Sequence, residues 1–581
     1  MTRKSTTILA LISAFALLFG FEASAQVTVL NSNVPPGFGQ AGYIEAATVD
    51  NFADPDSGGT LTMNGVRMIV PKNSVLQFPA NTLKWRDLFD PTISAPVNDV
   101  APTIAANKTG LALLDNPAQV RGVSPYLPFN AIVSGNIDVK GTTLNNVTGL
   151  KNPPGTYIVG LILPVGQDLG NGGQGFVTFI DYAKGRFEVG GTLGKQNTGT
   201  VIEINDPTGR YGLAHSPDPR WSVDNENPTI ASGNGYPMCI PRVAPPSIDL
   251  ECPLYNRPLN PPIGDPNHDS LFQPGAPLQA FMMPASKKPG LTKPDPWAQA
   301  PLMLGDYIAY AGVLYKNVPT AVVTNFKTQT YISANTVGVD KLGIYTAPGT
   351  ANEVGPAYVQ LARMVIGTGG NTSGTNVLSN ATLGIQGGNI ILPEPRNNMV
   401  VVGFVTDSTQ LVDIVAVEIG AGSGVETCNR ILGTVLPEVG VFQGVIAKGN
   451  KGRFRFEVAK DGALQPVTRV YAAYSHHGVA QVTKQTGTIV PPASPQICVD
   501  KDAPAPILHH GENGLLSGQY HAPMFTFQFA DAPPGYPSIP NNVNDIPFLV
   551  QGEGGNLSGG PLDPFPPFCP EDSHMVPTCQ P

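Results

Sequence analysis

The densest polar stretch of the chain reads "NDPTGRYGLAHSPDPRWSVDNENP" and spans residues 205–228. It carries Asp206, Asp218, Asp224 and Glu226 together with Arg210, Arg220 and Trp221. Carboxylates held in pairs on either side of a sugar bond are what glycoside hydrolysis requires, and the distance between them decides the reaction. The same residues also suit a structured loop closed by salt bridges. A ligand site, if the chain has one, is expected here.

A second concentration lies further on. Five of the eight histidines fall between residues 476 and 521: His476, His477, His509, His510 and His521, with Glu512 near by. Converging imidazoles suit copper or zinc. Neighbouring residues of a strand point to opposite faces, however, so each adjacent pair offers one ligand to a given site. Surface histidines in a proline-rich loop account for them, and neither a metal nor any other cofactor is expected. "DPNHD" sets Asp265, Asn267 and Asp269 at alternate positions, as a calcium loop begins. Ser270 and Ala276 then stand where such a loop needs Gly and Glu.

Motifs for nucleophilic or metal-assisted hydrolysis, Gly-x-Ser-x-Gly and His-Glu-x-x-His, do not occur. "GNGGQG", residues 170–175, precedes a strand and reads as a flexible loop, since a phosphate cradle would open a helix.

The amino-terminal residues 1–25 read as a secretory signal. A basic head "MTRK" leads an apolar stretch, and "EASA" ends in Ala-x-Ala form before Gln26. The expected protein is therefore secreted, extracellular or in the cell envelope, with no membrane span in the mature chain. Six cysteines in an exported chain suggest disulfides. Of fifteen possible connectivities, neighbour pairing is the simplest: Cys239 with Cys252, Cys428 with Cys498, and Cys569 with Cys579. A net charge of −9 without a basic cluster argues against nucleic acid as a partner, because phosphate binding rests on Lys and Arg.

The elements that would position these groups are strands. Charged residues make up only 13% of the chain, while 65 glycines and 59 prolines punctuate it. "GGTLTMNGVRMIVPKNSVLQF" (58–78) holds two strand-like runs joined at Asn64-Gly65, a tight-hairpin dipeptide. "FVTFIDYAKGRFEVGG" (176–191) reads as a hairpin through residues 182–185, and residues 305–316 and 399–419 read alike. "NTLKWRDLF" (81–89) is the best helix signal. "GYIEAATVD" (42–50) returns as "TYISANTVGVD" (330–340), alternating like a half-buried strand with Ile44, Ala46 and Thr48 on one face. The phrase is read as repeated scaffold. Residues 131–163, 305–337 and 399–419 share an outline in which a glycine interrupts β-branched residues, the mark of a bulge that lets a small sheet coil.

Two proline-rich stretches break this pattern. Residues 241–300 hold 14 prolines and residues 501–581 hold 15. The first is expected to be an extended connector, and the second to pack along a neighbouring domain.

Several phrases resemble a group of large exported microbial proteins to which no activity is assigned: "GGTLTMNGVRMIVPKNSVLQFP", "NDPTGRYG", "GNGYPMCIPR", "LGDYIAYAGVLYK", "TYISANTVGVDKLGIYTAPGT", "APMFTFQF" and "IPFLVQGEG". The resemblance implies one architecture over most of residues 40–555 and brings no catalytic residue. The "TLTMNGVRMIVP" hairpin is also similar to small barrels of the oligonucleotide/oligosaccharide-binding shape.

The expected fold is mainly β and multidomain, with repeated small β-barrel or β-sandwich modules, Pro-rich connectors and few short helices. An N-terminal β-module region covers 26–240, the connector 241–300, a second β-module region 301–425, a sandwich-like domain 426–500 and a Pro/His-rich C-terminal wrap 501–581. The expected function is non-catalytic binding or structure at the cell surface, with an extracellular polymer or surface protein as partner. The alternative is an extracellular carbohydrate-active enzyme using the stretch 206–226.

Overall fold

The computed structural model describes residues 37–90, 109–166, 171–317, 330–368 and 397–458, apart from short breaks, with 377–378, 390–391, 470–475, 481–482, 489–490 and 517–523. The fold is mainly β. Its helices, among the described residues, are the short 3-10 turns Trp85–Phe89, Pro219–Trp221 and Leu254–Asn256. No helix there is long and apolar enough to cross a membrane.

Five strands form a closed barrel: β1 (Gly37–Val49), β2 (Gly59–Met63), β3 (Val66–Val70), β4 (Asn130–Asp138) and β5 (Thr156–Gly166). β1 pairs antiparallel with β2, and β2 with β3. β4 lies antiparallel between β1 and β5, and β5 closes the ring parallel to β3. The β2–β3 turn is the Asn64-Gly65 pair, with φ of 51° and 73°. Positive φ at both positions matches the twist of a two-residue hairpin. The pairing of β1 with β2 skips Glu45. That bulge carries the Glu45 carboxylate to the Gly65 amide, which donates to it at 3.0 and 3.2 Å. It also breaks the alternation read from the sequence: Ile44 and Ala47 are buried, whereas Ala46 is only half-buried.

The same strand order recurs in a second barrel, built from β6 (Gly172–Asp181), β7 (Arg186–Val189), β8 (Thr200–Ile204), β9 (Tyr307–Asn317) and β10 (Thr330–Val339). Its pairings run β6–β7, β7–β8, β9–β6 and β9–β10 antiparallel, closed by β8 parallel to β10. The repeated phrase therefore sits in unlike places, the first strand of one barrel and the fifth of the other. The true equivalents are the β4–β5 and β9–β10 pairs, where Gly135 and Gly312 each adjoin a register shift. A Cβ at Gly312 would stand 2.2 Å from the Ser333 carbonyl oxygen, so only glycine lets the strands meet there. Gly403 adjoins a third shift.

Several expectations are corrected. The glycines of "GNGGQG" from Gly172 onward are strand, paired with β9, and the Tyr310 ring lies where a Gly173 side chain would be. The 81–89 segment is a short strand, Thr82–Lys84, followed by a 3-10 turn. Residues 305–316 hold one strand, Tyr307–Asn317, and 399–419 is no hairpin, its two strands lying in different sheets.

The proline-rich stretch 241–300 is an insertion between the third and fourth strands of the second barrel, so the boundaries at 240 and 300 fall inside one module. It is folded into the barrel core through Leu278, Phe281, Met283 and Ala300. Short parallel pairs fix it: Ala280–Met283 with Gly343–Thr346, and Met238–Cys239 with Ala300–Pro301. Buried Asn256 serves as a surrogate backbone, its amide donating to the carbonyls of Asp295, Ala298 and Gln299. Proline forbids central strands. It does not forbid burial once side chains take over the hydrogen bonding.

The first barrel's core includes Trp221, Val313, Tyr315 and Tyr331, all from the sequence of the second. Beyond the barrels, β11 (Val359–Thr368), β12 (Asn397–Val405) and β15 (Arg453–Val458) form one sheet. β13 (Val412–Ile419), β14 (Glu426–Val435), β16 (Val470–Ser475) and β17 (Gln519–Pro523) form another, in the order β14-β13-β16-β17. The expected C-terminal wrap thus contributes an edge strand, and, apart from Ser517 and Gly518, its remaining residues lie outside the described ones.

Candidate functional site

The acidic stretch is a clasp. Asp206 is fully buried, and its carboxylate accepts hydrogen bonds from the amides of Thr208, Gly209 and Tyr211 at 3.1, 3.0 and 2.7 Å. Asp218 caps the Pro219–Trp221 turn and takes the Arg220 guanidinium as a fork, at 2.9 and 2.7 Å. Both are buried, and Arg220 reaches on to the carbonyls of Leu88 and Thr109 beside the first barrel. Trp221 stacks on Phe129 and meets Phe78 edge-on. Arg210 donates to the Asp224 carbonyl, and the Asp224 carboxylate takes the Asn227 amide and side chain. Asp218, Arg220 and Trp221 are thus brought together to join two barrels. Glu226 lies outside the described residues.

An open polar depression of about 120 Å³ lies elsewhere, against β6 and β7. Alternation along the hairpin sends Phe179, Asp181, Arg186 and Glu188 outward, away from the core residues Ile180 and Phe187. Glu188 is buried, and its carboxylate accepts the amides of Asn197, Thr198 and Gly199 at 2.6, 3.0 and 3.0 Å. This folds the 190–199 loop over the strands and delivers Gln196, whose amide donates to Asp181 at 3.1 Å. Lys184, 62% exposed, stands 3.4 Å from the same carboxylate. Arg186 is held by Glu203 at 2.5 and 2.6 Å and lies over the Tyr331 ring. His215 donates from Nε2 to the Lys184 carbonyl at 2.8 Å, fixing the hairpin turn. Burial, with Glu203 close by, raises the Tyr331 hydroxyl well above the usual tyrosine range, and Arg186 opposes this. Tyr331 therefore stays neutral.

These residues were not among the sequence candidates. The hairpin was legible, and its alternation places Asp181 and Arg186 on the outer face. The contribution of Gln196 depends on the loop that Glu188 organises, and no motif marks that.

Cys239 and Cys252 are bonded, with Cα atoms 6.0 Å apart. Cys428 lies in β14, and Cys498, Cys569 and Cys579 are outside the described residues. His476, His477, His509, His510 and Glu512 are outside them too, and His521 lies in β17. Among the described residues no cluster of three or more His, Cys, Asp or Glu is placed to hold a metal ion. Comparison with protein-family models, curated proteins and solved structures finds no match.

Proposed function

We propose that the protein is a non-catalytic, exported binding protein, and that the β6–β7 depression takes a polyhydroxylated ligand, a segment of an extracellular glycan. The observation that carries this is the mixture of groups at the depression: Asp181, Lys184, Arg186 and Gln196 beside Phe179. Planar and charged hydrogen-bonding groups around an aromatic ring suit hydroxyls on one side and C–H faces on the other. The strand order shared by both barrels supports the likeness to the oligonucleotide/oligosaccharide-binding shape, and a net charge of −9 favours the sugar over the nucleic acid.

The enzyme alternative has less support. The carboxylates of Asp206, Asp218 and Asp224 are engaged by amides and Arg220 within the clasp, and Asp206 and Asp218 are buried. A general acid or base must be able to reach a substrate proton.

The test is a glycan array and polysaccharide pull-down with protein lacking residues 1–25. Retention of a glycan, weakened by Lys184→Ala with Gln196→Ala and unaccompanied by product release, is expected. Release of shortened sugars would overturn the non-catalytic reading.

A further inference from the structure

The outer face of β9 changes character along its length. Val313 and Tyr315 are buried in the core of the first barrel. Tyr307, Ala309 and Ala311 belong to the same face by alternation, yet Ala309 and Ala311 are exposed and Tyr307 is half-buried. Their partners on β6 are Phe176, Gln174 and Gly172. Phe176 is 58% exposed and meets the Tyr307 ring edge-on, with centroids 5.0 Å apart. The result is a ledge that begins where the first barrel stops covering β9. It carries two aromatic rings, one amide, three small residues and no charge.

We infer that this ledge is a stacking subsite for a neutral, unbranched polysaccharide, an inference that rests on the glycan-binding reading above. Two rings among small residues offer little apolar area for a protein partner, whose interface core needs a larger continuous patch. A pyranose is matched to them, since its C–H face covers one ring and leaves its hydroxyls in water. Gly172, Ala309 and Ala311 keep the strip flat beside the rings, so an extended chain can lie along β9. The Gln174 amide supplies a donor and an acceptor for ring hydroxyls. The ledge shares β6 with the depression that holds Asp181 and Lys184, so one glycan chain has two places to engage the same strand.

Affinity electrophoresis through gels containing neutral unbranched polysaccharides tests this, with the chain lacking residues 1–25. Four proteins are compared: the unsubstituted chain, Phe176→Ala, Tyr307→Ala, and Lys184→Ala with Gln196→Ala. Thermal melts establish that each is folded. Loss of at least about tenfold in affinity, or about 1.4 kcal/mol, in both ring variants is expected. Unchanged retention of the ring variants beside weakened retention of the Lys184/Gln196 variant would overturn the ledge and leave the glycan-binding reading standing. No retention of any protein on any polysaccharide would overturn both. A ring variant that instead converts a dimer into a monomer on gel filtration would show the ledge to be an interface between copies.

Discussion

Trp221 stacks on Phe129 with ring centroids 4.8 Å apart and planes 19° from parallel, although the two belong to different barrels. Phe129 immediately precedes β4 of the first barrel. Trp221 ends a 3-10 turn that follows β8 of the second. The indole is 1% exposed, so the first barrel's core is completed by a residue from its neighbour.

Trp221→Ala should therefore destabilise both barrels together. Truncating a buried tryptophan typically costs about 3–5 kcal/mol through lost burial and the cavity left behind. Chemical denaturation followed by far-UV dichroism should show one transition at a lower midpoint. Separate transitions, with the second barrel unaffected, would contradict the shared core.

The ion pair of the same turn, Asp218 with Arg220, can be dissected. Arg220→Met leaves the Asp218 carboxylate buried without its charged partner, and breaking a buried pair in this way costs about 3–5 kcal/mol. Replacing both, as Asp218→Asn with Arg220→Met, should recover part of the loss. A double-mutant cycle on melting midpoints measures it, and simple additivity would mean that the pair is uncoupled.

Cutting the chain at Lys287-Lys288 should leave it in one piece under native conditions. Phe281 and Met283 on one side and Ala300 on the other belong to a single core. Trypsin-nicked protein is expected to elute undivided and to separate only in denaturant. Two fragments that part spontaneously would restore the picture of a connector.

Alkaline pH should undo the fold cooperatively. Tyr236 and Tyr315 are fully buried, and burial raises their hydroxyls well above the ordinary value of 10.0. Tyr211, Tyr331 and Tyr358 shift in the same direction, again chiefly through burial. For a group whose pKa is higher when folded, the stabilisation is complete below the unfolded value and is lost as pH climbs towards the folded one. Stability should thus hold up to about pH 10 and fall beyond it. Tyrosinate absorbance should rise in step with loss of structure, whereas smooth titration of all tyrosines in a folded protein would contradict their burial.

Reducing the Cys239–Cys252 bond, which closes 13 residues, should cost about 3 kcal/mol by the chain-entropy argument. A melt in reductant, compared with Cys239→Ser plus Cys252→Ser, measures it. Equal midpoints with and without reductant would show that the loop is held without the bond, by contacts such as those of Arg242 with Asp249 and Glu251 at 3.0 and 2.7 Å.

What the sequence disclosed was local. Asn64-Gly65 announced its hairpin because few dipeptides accept two positive φ angles. Gly312 announced a bulge because a side chain there would strike Ser333. The parallel closures of β3 on β5 and of β8 on β10 were hidden, since each joins strands separated by most of a barrel. The docking of the 241–300 stretch on the barrel core through Leu278, Phe281, Met283 and Ala300 was hidden as well, because Asn256 does there what a strand's backbone would do, and a lone asparagine carries no period. In the acidic stretch, salt-bridge closure was foreseeable from the charges. That Arg220 would reach the carbonyls of Leu88 and Thr109 was not, because backbone acceptors have no signature.

The loan of Trp221, Tyr315 and Tyr331 to the first barrel has a consequence in time. A chain released amino terminus first brings out β1 to β5 long before those three rings. The first barrel can draw its strands together, but one side of its core faces water until residue 331 has followed. Folding of the leading module is thus timed by the trailing one. A chaperone that holds aromatic surface would find a target there for as long as the chain is incomplete.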